Sequence, residues 1–130
     1  MKKRMGLMMW SLMVLGIHSA NARPYPDRLG ICYVFVGDEV SQKAPCIIAS
    51  GYGAGSSYVG LEFNHKNYVF ETSTMSEDGK TTYEDKPVRQ YVRHAGFYHV
   101  IGDDELESVE PDDMLYCYRT RDKKLDICHN

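Results

Sequence analysis

Met114-Leu115-Tyr116-Cys117-Tyr118-Arg119-Thr120 runs into Arg121-Asp122-Lys123-Lys124 and returns as Leu125-Asp126-Ile127-Cys128. The first run is rich in aromatic residues, the middle is wholly polar, and the return is apolar at alternate positions. Two strands joined by a tight turn have this pattern. When an even-length turn is centred on Asp122 and Lys123, Cys117 and Cys128 stand opposite each other at a separation a disulfide can span. A bridge between adjacent strands belongs to a sheet, so this stretch sets the expectation of β structure for the whole chain.

The sequence holds four cysteines, Cys32, Cys46, Cys117 and Cys128. An even number in a small exported chain reads as two disulfides. Three connectivities are possible, and the hairpin favours the one that pairs Cys117 with Cys128. Cys32 then pairs with Cys46 around Gly37-Asp38-Glu39. No C-x-x-C occurs and no histidine lies at zinc-ligand spacing beside two cysteines, so neither a redox pair nor a metal site is expected.

Other strands follow outward from this hairpin. Ile31 to Val36 is β-branched and aromatic, and Cys46 to Ala49 is a short second strand. Tyr58 to Phe63 and Tyr68 to Thr72 form a hairpin. An even loop around His65-Lys66 opposes Phe63 to Tyr68, Leu61 to Phe70 and Val59 to Thr72, which keeps one consistent apolar face. Ser50 to Ser57 (SGYGAGSS) reads as a loop, Ser73 to Lys80 as a polar turn region, Thr81 to Tyr83 and Phe97 to Ile101 as strands, and Gly102 to Asp113 as an acidic loop. Asp85-Lys86-Pro87 resembles a helix start, and Val88, Tyr91, Val92 and Ala95 lie on one helical face ahead of Gly96. The expected fold is mostly β: a small antiparallel sheet or barrel-like domain with one short helix and two disulfides.

The N-terminus reads as a secretory leader. Lys2, Lys3 and Arg4 precede the apolar run Met5 to Ile17, and Ala20-Asn21-Ala22 offers a cleavage site. Residues 1–22 are thus expected to be a signal peptide and 23–130 a single domain, periplasmic or secreted, with no membrane anchor after cleavage. The chain of 130 residues carries 15 Lys and Arg against 18 Asp and Glu. Three of the bases lie in the leader, so the domain is more acidic still. That balance argues against nucleic acid and anionic membranes as partners and is compatible with a basic protein partner, with solubility as its simplest explanation.

The loops hold the candidate functional residues. Gly51-Tyr52-Gly53-Ala54-Gly55 is G-x-G-x-G, which lacks the last glycine and the following helix of a dinucleotide-binding turn. Tyr52, Ser56, Ser57 and Tyr58 instead suit contact with a protein, since Tyr, Ser and Gly are effective contact residues on loops. Asp103, Asp104, Glu105, Glu107, Glu110, Asp112 and Asp113 carry no EF-hand spacing. Calcium binding is one reading of them. A solvated loop is the default reading, and the functional reading carried forward has Asp103, Asp104 and Glu105 steer a basic partner. Arg89 and Arg93, at i and i+4 on the expected helix beside Lys86 and His94, are placed to grip a carboxylate or phosphate, although such a pair more often covers the wet side of a helix or pairs with local acids such as Glu84. Neither G-x-S-x-G nor H-E-x-x-H is present, so no catalytic residue, cofactor or metal is assigned. The alternative of a small hydrolase rests on His94 or His99.

The Ser56-Ser57-Tyr58 segment ahead of an aromatic strand resembles the small periplasmic lysozyme inhibitors over less than a fifth of the chain. The resemblance implies a small β-barrel whose loop enters a lysozyme cleft. It implies only that such a fold and charge can serve inhibition; the acidic charge, the two disulfides and the Tyr-rich Gly/Ser loop lead to the expectation of an exported, non-enzymatic inhibitor or immunity-type protein that neutralises a basic hydrolase or toxin. A structural or effector role in the envelope or secretome is the remaining alternative.

Overall fold

A computed structural model describes residues 23–75 and 79–130. The expected signal peptide, and part of the polar turn region before Gly79, lie outside the described residues. The strands are β1 (Arg23–Pro24), β2 (Arg28–Val36), β3 (Glu39–Gly53), β4 (Ser56–Phe63), β5 (Lys66–Ser73), β6 (Thr81–Tyr83), β7 (Lys86–His94), β8 (Val100–Ile101), β9 (Met114–Thr120) and β10 (Asp126–His129). Eight of them, β2-β3-β4-β5-β6-β7-β9-β10, pair in that order, and β10 closes back onto β2. Every pairing is antiparallel. The result is an up-and-down barrel, which leaves no open edge along its wall. β1 pairs with the end of β3 beyond β2, and β8 adds to β7.

Both expected disulfides are present: Cys117–Cys128 and Cys32–Cys46. Cys117 and Cys128 are direct cross-strand partners with Cα atoms 4.0 Å apart. Cys32 and Cys46 lie diagonally across the β2–β3 pair, with Cα atoms 5.7 Å apart.

Four local expectations are corrected. The helix over 85–95 is strand β7. Val88 packs into one buried cluster and Tyr91 into another on the opposite side of the sheet, so apolar residues occur on both faces and mimic a helical period. The expected cap Asp85 is instead the second residue of a two-residue turn, Glu84-Asp85, both at positive φ. The Ser50–Ser57 loop is two strands joined at Ala54-Gly55, also at positive φ. Cys46 to Ala49 is accordingly the middle of the 15-residue β3. In the β4–β5 hairpin the turn is Asn64-His65, so Phe63 faces Lys66, Leu61 faces Tyr68 and Val59 faces Phe70. Asn tolerates the left-handed conformation that a two-residue hairpin turn requires, and this tightest loop prevails without changing which face is buried. Finally, Phe97 to Ile101 is strand only over Val100–Ile101, and the acidic connection contains two 3-10 turns, Leu106–Ser108 and Pro111–Asp113.

Cross-strand partners followed around the ring define the interior. Val34, Ile127 and Tyr118 are successive partners, and they pack with Ile48, Leu61, Phe63, Phe70 and Tyr83 in one cluster. The Phe70 and Tyr118 rings stack at 4.1 Å. The disulfide Cys32–Cys46 belongs to this cluster. A second cluster lies on the other face of the β2–β10–β9–β7 wall: Tyr33, Phe35, Tyr91, Leu115 and the Cys117–Cys128 bridge, with Tyr98 laid over Tyr33 and Phe35. Each core therefore carries one bridge.

Candidate functional site

An antiparallel meander sends alternate connections to opposite ends. The β2–β3, β4–β5, β6–β7 and β9–β10 turns share one end of the barrel, here the turn end; the β3–β4 turn, the β5–β6 loop and the β7–β9 connection share the other, the loop end. Tyr52, Ser56, Ser57 and Tyr58 flank the β3–β4 turn, and Asp103, Asp104 and Glu105 lie in the β7–β9 connection. Residues some fifty positions apart in the chain thus emerge at the same end, although on opposite walls.

The hairpin divides the first group. Tyr52 pairs with Ser57 and shares the parity of interior-facing residues such as Ile48; Ser56 and Tyr58 pair with Gly53 and Gly51 on the outer face. Tyr58 is half-buried because its ring lies across Gly51, where a Cβ atom would stand 2.7 Å from the ring. Tyr58 is thus partly spent on covering backbone. Tyr52 is 44% exposed and meets Tyr25, itself 55% exposed, at 5.6 Å. Met75, 84% exposed, lies over Gly55, and Phe97, 79% exposed, stands in the turn after β7. Sequence reading missed Tyr25, Met75 and Phe97, since nothing in their local pattern separates a rim residue from a core one.

The acidic connection is exposed at Asp103, Asp104, Glu105, Glu107, Glu110, Asp112 and Asp113. Its path is fixed by backbone bonds within the 3-10 turns and by Ser108 Oγ donating to the Glu105 carbonyl at 2.7 Å. Among the described residues, no group of three or more His, Cys, Asp or Glu gathers in metal-holding geometry.

His94 and His99 do come together, their rings stacked at 5.3 Å. His94 Nδ1 accepts hydrogen bonds from the backbone N–H of Gly96 at 2.9 Å and of Phe97 at 3.3 Å. That nitrogen holds the turn after β7 and is occupied as an acceptor. His129 lies in the wall beside Tyr116 and Tyr118, with Nδ1 bonded to the Asn130 carbonyl at 3.0 Å and a buried Nε2 that has no hydrogen-bond partner among the described residues. Burial holds its pKa below the ordinary histidine value, and the nearby Arg28 charge adds to that effect against the Asn130 bond. A cavity of about 580 Å³ lies nearby between the acidic connection and β7–β9, reaching Gln90, Val92, Tyr116 and Asp103.

Arg89 and Arg93 share a face as expected, because every second residue of a strand does. Their environments differ. Arg89 is exposed, whereas Arg93 is wholly buried and grips the protein's own anion. Its Nη2 lies 3.3 Å from Asp126 Oδ2, its Nε donates to the Tyr91 hydroxyl at 3.1 Å, and that hydroxyl donates to Asp126 Oδ1. Further bonds reach the carbonyls of Tyr98 at 3.0 Å and Gly37 at 3.2 Å, and the guanidinium stacks 4.2 Å from the Phe35 ring. The expected anion grip is an internal tie.

Compared with known proteins, the chain matches no family model, no curated protein and no solved structure. Among the described residues no helix is long and apolar enough to cross a membrane.

Proposed function

We propose that this small, doubly bridged barrel is an exported, non-enzymatic binding domain that docks a basic protein at its loop end, in the manner of an inhibitor or immunity protein against a basic hydrolase or toxin. The observation that carries the reading is the composition of that end. Exposed Tyr25, Tyr52, Met75 and Phe97 and the exposed acidic connection emerge together. Exposed aromatic anchors beside charge of one sign are the usual ingredients of a contact surface: the anchors set the lifetime of the complex and the charge sets the encounter rate. Two disulfides within paired strands suit an oxidising compartment. Tyr52 is the expected central anchor, with Ser57 beside it and Ser56 and Tyr58 on the outer wall; Asp103, Asp104 and Glu105 steer.

The test is comparative capture from envelope and secreted fractions by the oxidised protein and by two variants. Wild type is expected to retain one basic protein in stoichiometric amount. Tyr52→Ala should release it about tenfold faster. Asp103→Asn with Asp104→Asn and Glu105→Gln should instead slow association and flatten its dependence on salt. Unchanged dissociation in the first variant and an unchanged association rate at low salt in the second would together remove the loop end as the docking site.

A further inference from the structure

One cavity at the turn end is lined mainly by the opposite charge. Lys66 follows the β4–β5 turn, Lys86 follows the β6–β7 turn, and Arg121 and Lys124 belong to the β9–β10 turn; all four are exposed around one cavity of about 510 Å³. Its apolar surface is the turn-end limit of the interior cluster: Tyr68 and Tyr83, ring centroids 6.1 Å apart, with Leu125 beside them. Two acids, Glu84 and Asp122, share the mouth. Asp122 is already engaged, accepting from the Thr120 hydroxyl at 2.7 Å and the Lys124 backbone N–H at 3.0 Å, and these bonds hold its carboxyl below the usual range.

We infer that this mouth is a binding site for a small organic anion: a carboxylate or phosphate held by the cations, on a flat apolar body laid against Tyr68 and Tyr83. Three features support it. Four cations against two acids leave the mouth positive in a protein that is acidic overall. Like charges gathered around one cavity repel each other unless an anion sits among them. The volume lies within the roughly 300–1,000 Å³ of small-molecule sites, and the lining has their usual make-up of aromatic surface with a few converging polar groups. The frame is also set in advance. Asn64, His65, Glu84, Asp85 and Lys123 all hold positive φ in the turns that rim the mouth. None of the five is glycine; Asn, His and Asp tolerate such angles better than most residues, whereas Glu84 and Lys123 hold them at a cost in strain. Lys66 Nζ lies 4.9 Å from the centre of the Tyr68 ring, and bonding with Tyr83 keeps its ammonium above the ordinary lysine pKa.

The probe is 1-naphthyl phosphate, titrated into the protein and followed by amide chemical shifts, with 1-naphthoate, 1-naphthol and inorganic phosphate alongside. Either naphthyl anion should bind at least about tenfold tighter than naphthol or inorganic phosphate, since charged hydrogen bonds and stacking act together. Shifts should concentrate at residues 64–68, 83–87 and 120–125, and the tighter of the two acids identifies the headgroup. Lys86→Gln with Arg121→Gln should weaken binding about tenfold or more, while Asp103→Asn with Asp104→Asn, at the other end, should leave it within about twofold. Both pairs are exposed, so folding is retained. Absence of binding, naphthol binding as well as the anions, undiminished affinity in the Lys86/Arg121 variant, or shifts centred elsewhere would each overturn the site.

Discussion

Arg93 shows how much one side chain can be asked to do. It joins β7 to β10 through Asp126, to the β2–β3 turn through the Gly37 carbonyl, and to the segment carrying Tyr98. A buried charge is tolerated only when paired and hydrogen-bonded, and here the guanidinium, the carboxylate and the Tyr91 hydroxyl satisfy one another. Removing one partner strands the other. Arg93→Met is expected to cost about 3–5 kcal/mol in urea denaturation. Asp126→Asn should cost less in the Arg93→Met background than alone, with a coupling of at least about 1 kcal/mol. Additive effects would show that the three groups do not act as a unit. The sequence marked Arg93 as able to hold an anion, and it does. That the anion is Asp126 was not legible, because the two are brought together only by the pairing of β7, β9 and β10.

Among the elements, legibility depended on whether a turn or a cysteine pair marked the register independently of the apolar period. The β9–β10 hairpin was readable down to its register because the polar turn fixed its centre and the cysteines confirmed it. β7 was not readable: with cores on both sides, its apolar positions lose their period of two. The glycine segment was misread for a related reason. Glycine weakens strand propensity, yet Gly51 serves the sheet by making room for Tyr58. The candidate sites divide similarly. Tyr52 and the acidic run were visible in the chain, but their common end needed the topology. The cationic mouth was invisible, since its residues come from three separate turns. The bridges carry an element-scale expectation. Cys117→Ala with Cys128→Ala should lower unfolding free energy by about 2–4 kcal/mol. Because the bridge packs in the outer cluster, hydrogen exchange should rise first along β9 and β10 and only later in β4 and β5. Uniform loss of protection would mean the two cores open together.

For the molecule as a whole, two kinds of buried titratable group set the pH range of stability. His129 is buried with a depressed pKa, so the unfolded chain takes up a proton before the native one does. Its neutral form suits the fold fully above about pH 6.5, the ordinary histidine value, and stability is lost as pH falls below it. At the other limit, burial and the bond to Asp126 push Tyr91 up to about 12, and burial alone pushes Tyr118 to about 12. The unfolded chain loses those protons from about pH 10, so stability should decline between about 10 and 12. The melting temperature should therefore form a plateau between these limbs. His129→Phe keeps an aromatic ring beside Tyr116 and Tyr118 and should flatten the acid limb; Tyr118→Phe should reduce the alkaline one. An acid limb unchanged by His129→Phe would show that burial of this imidazole does not set the acid limit of stability.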